Sequence, residues 1–506
     1  MSTIEEADEQ YSWLVDKYKA PSSAWFESDE AELYQDGRKL LLTVFRLHAG
    51  AQGDGDIGPA LRTADGVVLT RRRLIKRTLL TLFGEVTFER IGYSLPDHPM
   101  VFPLDAVLNL PTSSFSACIQ RFIARRAPKT PFADVLDQVL ETTGAVIHQP
   151  QVLEITQRCA VDFDEFYESK LKVKGSHHPI LVLTTDAKGI VMRPDGLREE
   201  TRKRAQKSKP KMKTRLAPGE KSNRKRMAQV ASIYFIKRFV RTTQEVVNEF
   251  ARQEAQERRP SPYEKRVWAS IENDADVVIK AMFAEAHKRD PKHEKEWVVL
   301  VDGNKHQLGL VRRLAKAEGV NVTVILDLIH VIQYIWDAAH AFHDAKDHRG
   351  REQWVEDQLT RVLDGDAGKV AGTVRLYASK RDLTEAQVNA AKKSAGYLAK
   401  YKPYVKYAHY LKCGYPIASG VIEGACRHLI KDRMDVTGAR WSLEGAEAVL
   451  KLRSVVSSGD FDEYWAFHRM KEHERNHLSK IGGLEQLAPL HPSKSSRTKT
   501  SKSPAK

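Results

Sequence analysis

The chain has 506 residues, 42% of them hydrophobic, and a formal net charge of +15. It is long enough to bury substantial cores in two or more domains. The opening MSTIEEADEQYSW is acidic and has no apolar leader, so export is not expected. The most apolar long stretch, VTVILDLIHVIQYIWDAAHAF, carries Asp327, His330, Gln333, Asp337 and His340, which excludes it as a membrane span. Cys118, Cys159, Cys413 and Cys426 have neither CxxC spacing nor the look of a disulfide framework, which fits a reducing cytoplasm.

In chain order, residues 1–65 read as helical (ESDEAELYQDGRKLLLTVFRLHAG). Residues 66–112 contain RRLIKRTLLTLFGEVTFERIGYSL, two strand-like runs meeting at Phe83-Gly84-Glu85 as a β-hairpin. Residues 113–172 hold three helical patterns. Two of them, PFADVLDQVLETTG and AVIHQPQVLEITQRCA, have the length and glycine break of a helix-turn-helix that could bind DNA.

From Pro179 the period changes. PILVLTTD reads as a strand, DAKG as a tight turn and GIVMRP as its return. RMAQVASIYFIKRFVR follows as a third strand. The next stretch, PYEKRVWASIENDADVVIKAMFAEAHKR, reads as helix, and WVVLVDG, LGLVRRLAKAEG and VTVILD read as strand, helix and strand. A meander followed by strand–helix–strand predicts an α/β fold with an RNase H-like mixed sheet, its central strands covered on both faces. This core spans 177–345. Residues 346–412 read as all-helical, and GYPIASGVIEGACRHLIKDRM in 413–460 starts a further helix at Pro416 and Ser419. A C-terminal helix and basic tail occupy 461–506.

The positive charge sits in two places. Residues 198–226 hold 13 Lys/Arg against 3 acids, and HPSKSSRTKTSKSPAK (491–506) adds 5 Lys/Arg and no acid, which together account for the whole excess. Such basic, weakly apolar segments suggest arms that bind a polyanion. In the first, Arg202, Lys203, Arg204, Lys207, Lys209, Arg224, Lys225 and Arg226 are the candidate DNA-binding residues.

Three acids stand out: Asp186 at the end of PILVLTTD, Asp302 at the end of WVVLVD, and Glu423 one turn into the helix of GYPIASGVIEGACRHLIKDRM. Open sheets build their sites beyond the carboxyl ends of parallel strands. Like charges about 4 Å apart repel by roughly 1 kcal/mol in water and about 4 at an effective dielectric of 20, so converging carboxylates call for a counter-ion. All-oxygen ligation selects Mg²⁺ or Mn²⁺, and two such ions suit in-line phosphodiester displacement.

Two local motifs point elsewhere and are set aside. HERNH (473–477) fits the HExxH zinc pattern but lies in a highly charged stretch with no third ligand. GDGDIG (53–58) fits GxGxxG, yet it follows a helix and puts Asp54 and Asp56 where phosphate would sit.

From about residue 80 to 460 the chain resembles bacterial insertion-sequence transposases of the ISKra type, members of the RNase H-like DDE superfamily with Mutator-like relatives. The text that carries the resemblance is RTLLTLFGEVTFERIGYS, HHPILVLTTDAKGIVMRPDG, WVVLVDGNKHQL, VTVILDLIHVIQYIWDAAHAF, and GYPIASGVIEGACRHLIKDRM followed by TGARWS. The resemblance implies Asp186, Asp302 and Glu423 as the triad holding two Mg²⁺ (or Mn²⁺) ions. It also implies a helical insertion ahead of the Glu helix. The D-x-x-H pair Asp327 and His330 resembles one found in such transposases, with an expected part in orienting the site or contacting DNA. Arg427 and Lys431, on the face of Glu423, are candidates for phosphate contacts. Trp441 is a candidate for stacking on a flipped base, although core packing is the commoner use of such a residue.

The expected activity is strand cleavage at the ends of a mobile element and transfer of the 3′-hydroxyl into target DNA. The expected partners are double-stranded DNA, both terminal repeats and target, and a second copy or more of the chain, with no membrane. The expected location is the nucleoid in the cytoplasm. A structure-specific RNase H-like nuclease and a non-catalytic DNA-binding protein are the alternatives.

Overall fold

A computed structural model describes residues 3–170, 176–207, 224–251, 259–436 and 438–490. The chain divides into two compact units, Met1–Asp162 with Asp462–Lys506, and Phe163–Phe461. No helix among the described residues is long and apolar enough to cross a membrane.

In the first unit, helices Ile4–Tyr18 and Phe26–Gly50 precede a short strand pair, β1 (Leu61–Arg62) and β2 (Val68–Leu69). A three-stranded antiparallel sheet follows: β3 (Arg71–Thr81), β4 (Gly84–Leu95) and β5 (His98–Val101). The expected hairpin is β3–β4, closed by Leu82-Phe83, with Thr81 opposite Gly84 and Gly84 at φ +134°, where a side chain would be strained. Helices Phe132–Thr143 and Gln149–Arg158 form the expected pair, separated at Gly144 in the left-handed conformation.

The HERNH histidines are structural. His473 and His477 reach the Ala106 and Leu110 carbonyl oxygens at 2.7 and 2.8 Å, at the end of helix Pro103–Leu108. GDGDIG is a turn that pins Asp56 to Arg72 and to the Tyr93 hydroxyl, both at 2.9 Å.

The second unit is built on a five-stranded mixed sheet: β6 (Ile180–Val191), β7 (Lys225–Ile236), β8 (Tyr263–Ser270), β9 (Glu296–Val301) and β10 (Val322–Leu326). Its order is β10-β9-β6-β7-β8. β6, β7 and β8 are an antiparallel meander, and β9 and β10 add in parallel beside β6. Helix Ala275–Arg289 crosses from β8 to β9 and helix Lys305–Ala317 from β9 to β10. Residues 180–185 of β6 and Trp297–Val301 of β9 are all buried, as expected for strands covered on both faces.

Two readings of the sequence are corrected. DAKG is not a turn: β6 runs straight through it, because β7 pairs with every residue from Ile180 to Val191 and holds the backbone extended. The third strand is YEKRVWAS, read above as helix. Its exposed, charged first half hides the buried Val267–Ser270 that joins β7.

Both edges of this sheet are closed by side chains. At β8, the Ser458 and Ser454 hydroxyls accept from Val267 N and Ala269 N at 3.0 and 3.3 Å, and Glu447 accepts from Ile271 N at 2.8 Å just past the strand. At β10, Tyr407 and Tyr410 donate to the Leu326 and Val324 carbonyls at 2.7 and 3.5 Å. Unpaired edge groups that would otherwise recruit another strand are thereby satisfied. Helices His348–Leu363, Ala367–Lys380 and Glu385–Tyr401 make up the expected helical stretch before Glu423.

Candidate active site

The register of the parallel strands aligns the acids. Thr184 pairs with Leu300, so two residues further on Asp186 stands beside Asp302. Val301 pairs with Leu326, so one residue on Asp302 stands beside Asp327, and Asp327 N donates to Val301 O at 2.9 Å. Three neighbouring strands thus present a row of aspartates at one edge of the sheet. Asp186 is not at a strand end, as the sequence suggested. It marks the point where β9 stops and β6 continues with β7 alone.

Each acid is held differently. The Asp186 carboxylate accepts from Ala187 N at 2.6 Å and from the Cys426 thiol at 3.1 Å. Burial, and then the Asp186 charge, push the Cys426 thiol well up, so it stays protonated and donates. Asp302 accepts from Asn304 N at 2.7 Å across Gly303, whose φ is +87°. A side chain at Gly303 would also meet the Tyr397 hydroxyl at 2.9 Å, so both the turn and the close approach require glycine. Asp327 is 1% exposed and caps helix Leu328–Phe342 by accepting from Ile329 N at 3.0 Å. It also accepts from Ser419 N at 3.2 Å and from the Ser419 hydroxyl. With Leu328 N bonded to Ile417 O at 2.9 Å, this ties the start of the Glu helix to the end of β10.

Glu423 lies on Gly420–Ala425, followed at once by a π-helical turn, Cys426–Lys431. Such turns widen a helix and recur at functional sites. Asp327, His330 and Glu423 bring one ligand atom each within 4.8 Å of one another. Burial raises the Asp302 carboxyl above its usual range, the Asp186 charge adds to this, and the Asn304 N–H and His330 oppose it. Burial likewise raises Glu423, with Asp327 and Asp186 adding and His330 opposing. Five groups therefore share one electrostatic neighbourhood: the three acids expected from the sequence plus Asp327 and His330. Two carboxylates and one imidazole, those of Asp327, Glu423 and His330, are the residues of this edge that could hold a metal ion.

The helical stretch before Glu423 supports this edge directly. Tyr397 donates to Asp302 O at 2.9 Å, Tyr401 donates to Gly303 O, and Tyr407 reaches Leu326 O. Tyr397 stacks on Tyr334, ring centroids 3.8 Å apart. Burial pushes the Tyr397 and Tyr407 hydroxyls up, keeping them as donors. Sequence reading missed these residues, yet YLAKYKPYVKYAHY places a tyrosine every three or four positions from 397 to 410, a helical-face signal. Ser419 was visible only as a helix start, and nothing local marked Cys426.

The remaining candidates separate clearly. Arg427 and Lys431 are exposed beside Glu423, with Arg427 3.6 Å from Asp432. Trp441 takes the commoner of its two uses: it is 7% exposed, donates to Met434 O at 3.1 Å and bridges to Met192, so its ring is committed to the core and not offered to a base. Arg202, Lys203, Arg204 and Lys207 lie on the exposed helix Glu199–Lys207, where Lys203 and Arg204 pair with Glu199 and Glu200 at 2.6 and 3.1 Å. Arg224 and Lys225 are exposed. Arg226 is a correction: its guanidinium bonds the Ile271, Gly196 and Glu272 carbonyls at 2.8, 3.3 and 3.3 Å, which makes it a brace. Lys209 and the tail 491–506 lie outside the described residues.

No protein-family profile and no curated protein matches the chain. Among solved structures, the Drosophila P element transposase strand transfer complex aligns at 9% identity and a TM-score of 0.25, covering 74% of this chain and 84% of that one. A superposition that loose does not establish a shared fold.

Proposed function

We propose that this chain is a DDE transposase that cleaves DNA at the ends of a mobile element and joins the freed 3′-hydroxyl to target DNA. One observation carries the reading: the register sets Asp186 beside Asp302 at the edge of the sheet where Glu423 also lies. The strand order β8-β7-β6-β9-β10, a meander with two parallel additions, is the order expected of an RNase H-like core, and it supports the reading. The motif resemblance to ISKra-type transposases is independent of that geometry.

Bound Mg²⁺ or Mn²⁺ would supply Lewis acidity to the scissile phosphate and an activated water or 3′-hydroxyl for in-line attack. Asp186, Asp302 and Glu423 would hold the cations, and His330, with a ring nitrogen within 4.8 Å of a Glu423 oxygen, would be placed to join them. Asp327, already bonded to Ser419, fixes where the Glu helix begins. Tyr397 and Tyr401 hold the backbone on which Asp302 is carried. No side chain serves as a nucleophile, so catalysis is positional and electrostatic. Exposed Arg202, Lys203, Arg204, Lys207, Arg224, Lys225, Arg427 and Lys431 supply phosphate contacts, and the helices at 132–143 and 149–158 are candidates for reading terminal-repeat DNA.

The test uses labelled element-end DNA, a supercoiled target and Mn²⁺. Cleavage with joined product is expected, abolished by Asp302→Asn and Glu423→Gln with end binding retained. Cleavage without joining would assign a structure-specific nuclease, and binding without nicking a non-catalytic DNA-binding protein. Equal loss of binding and cleavage in Asp302→Asn would make that acid structural.

A further inference from the structure

Helix Glu385–Tyr401, in the helical stretch ahead of Glu423, presents an exposed polar face beside the aspartate row. Asn389, Lys393, Gly396 and Lys400 recur on it at i, i+4, i+7 and i+11, and all four are exposed. At 3.6 residues per turn they fall within about 60° of arc, along about 17 Å of helix. Glu385, in the first turn, is the one acid in the sequence of this helix. A Cβ at Gly396 would meet nothing within 4 Å, so the space between the two lysines is open. Their ammonium groups rest on rings: Lys393 lies 5.5 Å from the Tyr334 centroid, and Lys400 lies 4.1 Å from that of Tyr401 and donates to its hydroxyl. Neither is paired with a carboxylate among the described residues.

The face is fastened to the strand end that carries Asp302. Tyr397, next to Gly396, donates to Asp302 O at 2.9 Å, and Tyr401, next to Lys400, donates to Gly303 O. Lys305, three residues past Asp302 and exposed, adds a third cation at this end. On the other side of the row, Asp186 is followed by exposed Lys188 and bonded by Cys426, whose neighbour Arg427 is exposed. Cations thus flank the carboxylates on both sides, an arrangement that suits a polyanion lying across them. One strand of DNA carries a charge about every 3.4 Å of axis. Lys393 and Lys400 stand about 10.5 Å apart along their helix, the reach of about three nucleotides. A glycine between them lets a backbone come close.

We infer that the face formed by Asn389, Lys393, Gly396 and Lys400 carries the phosphate backbone of one DNA strand toward Asp302, with each lysine on a phosphate and Gly396 leaving room between them. Because the occupant is DNA, this rests on the function proposed above, yet it is testable without any cleavage.

Binding of a labelled DNA duplex to the full chain is measured in EDTA over a range of salt. Lys393→Ala with Lys400→Ala should flatten the log–log salt dependence by about 1.8, at about 0.9 per phosphate contact, and Lys393→Arg with Lys400→Arg should keep it. Gly396→Glu sets a carboxylate midway between the lysines, where there is room and where a helix favours glutamate over glycine, so its thermal midpoint should not fall. It should nonetheless weaken binding about fivefold by like-charge repulsion, while Gly396→Gln should bind as wild type does. An unchanged slope in the alanine pair, or equal binding by Gly396→Glu and Gly396→Gln, would overturn the inference and leave the catalytic reading standing. A wild-type chain that passes both tests yet never nicks DNA would uphold this track and remove the catalytic reading instead. A chain with no affinity for DNA would overturn both.

Discussion

Removing one charge from the aspartate row should stabilise the protein when no cation is present. Adjacent strands lie about 4.8 Å apart, and Asp186 and Asp302 are side by side on β6 and the end of β9. Two unit charges about 5 Å apart repel by roughly 1 kcal/mol in water and about 3 at an effective dielectric of 20. Asp302→Asn removes that repulsion while its amide oxygen keeps the bond from Asn304 N. The thermal midpoint of the unit Phe163–Phe461, measured by calorimetry in EDTA, should therefore rise by about 2–6 °C, at about 2 °C per kcal/mol. With Mn²⁺ the order reverses. Wild type should gain about 2.7 kcal/mol at a hundredfold excess over its dissociation constant, and the variant little. A variant that is less stable in EDTA, or that keeps the full Mn²⁺ gain, would refute the idea that Asp302 is strained without a cation and relieved by one.

Tyr397→Phe deletes the donor to Asp302 O and should cost about 1–3 kcal/mol in chemical denaturation and weaken Mn²⁺ affinity measured by calorimetry; unchanged affinity would make the tyrosine purely structural. Glu285 is buried between Arg266 and Arg289, at 2.5 and 2.8 Å. Burial alone would raise its carboxyl, but the two arginines outweigh that and hold it below the usual range. Its contribution is therefore present above the unfolded carboxylate pKa of about 4.3 and lost as pH falls through the lower folded value. Glu285→Ala should destabilise by about 3–5 kcal/mol at pH 7 by leaving buried arginines unpaired, with the difference from wild type shrinking in denaturation at low pH. Replacing Arg202, Lys203, Arg204 and Lys207 with Ala should flatten the log–log salt dependence of DNA binding by up to about 3.6, at about 0.9 per phosphate contact. An unchanged slope would remove helix Glu199–Lys207 from the DNA interface.

How much was legible can be followed residue by residue. The runs ILVLTT and WVVLV announced buried strands because unbroken apolar stretches that short need cover on both faces, and the Gly84 hairpin followed from local turn chemistry. β6 was cut short on paper because DAKG looks like a turn. What overrode it was pairing with a strand some 40 residues later, which local preference does not record. β8 went unread for a similar reason, its charged first half masking a strand that only a neighbouring strand could stabilise.

For the candidate site, the sequence picked out Asp186 and Asp302 after apolar runs and Glu423 early in a helix, and the motif resemblance added the Asp327–His330 pair. Tertiary structure decided the partners of each. Asp327 is committed to Ser419, 92 residues away, Arg226 is a brace, Trp441 is core, and Tyr397 and Tyr401 hold the backbone at Asp302 and Gly303. Those roles rest on burial and on partners distant in the chain. A side chain's type and spacing fix what it can bind, whereas its partner is set only when folding brings remote segments together.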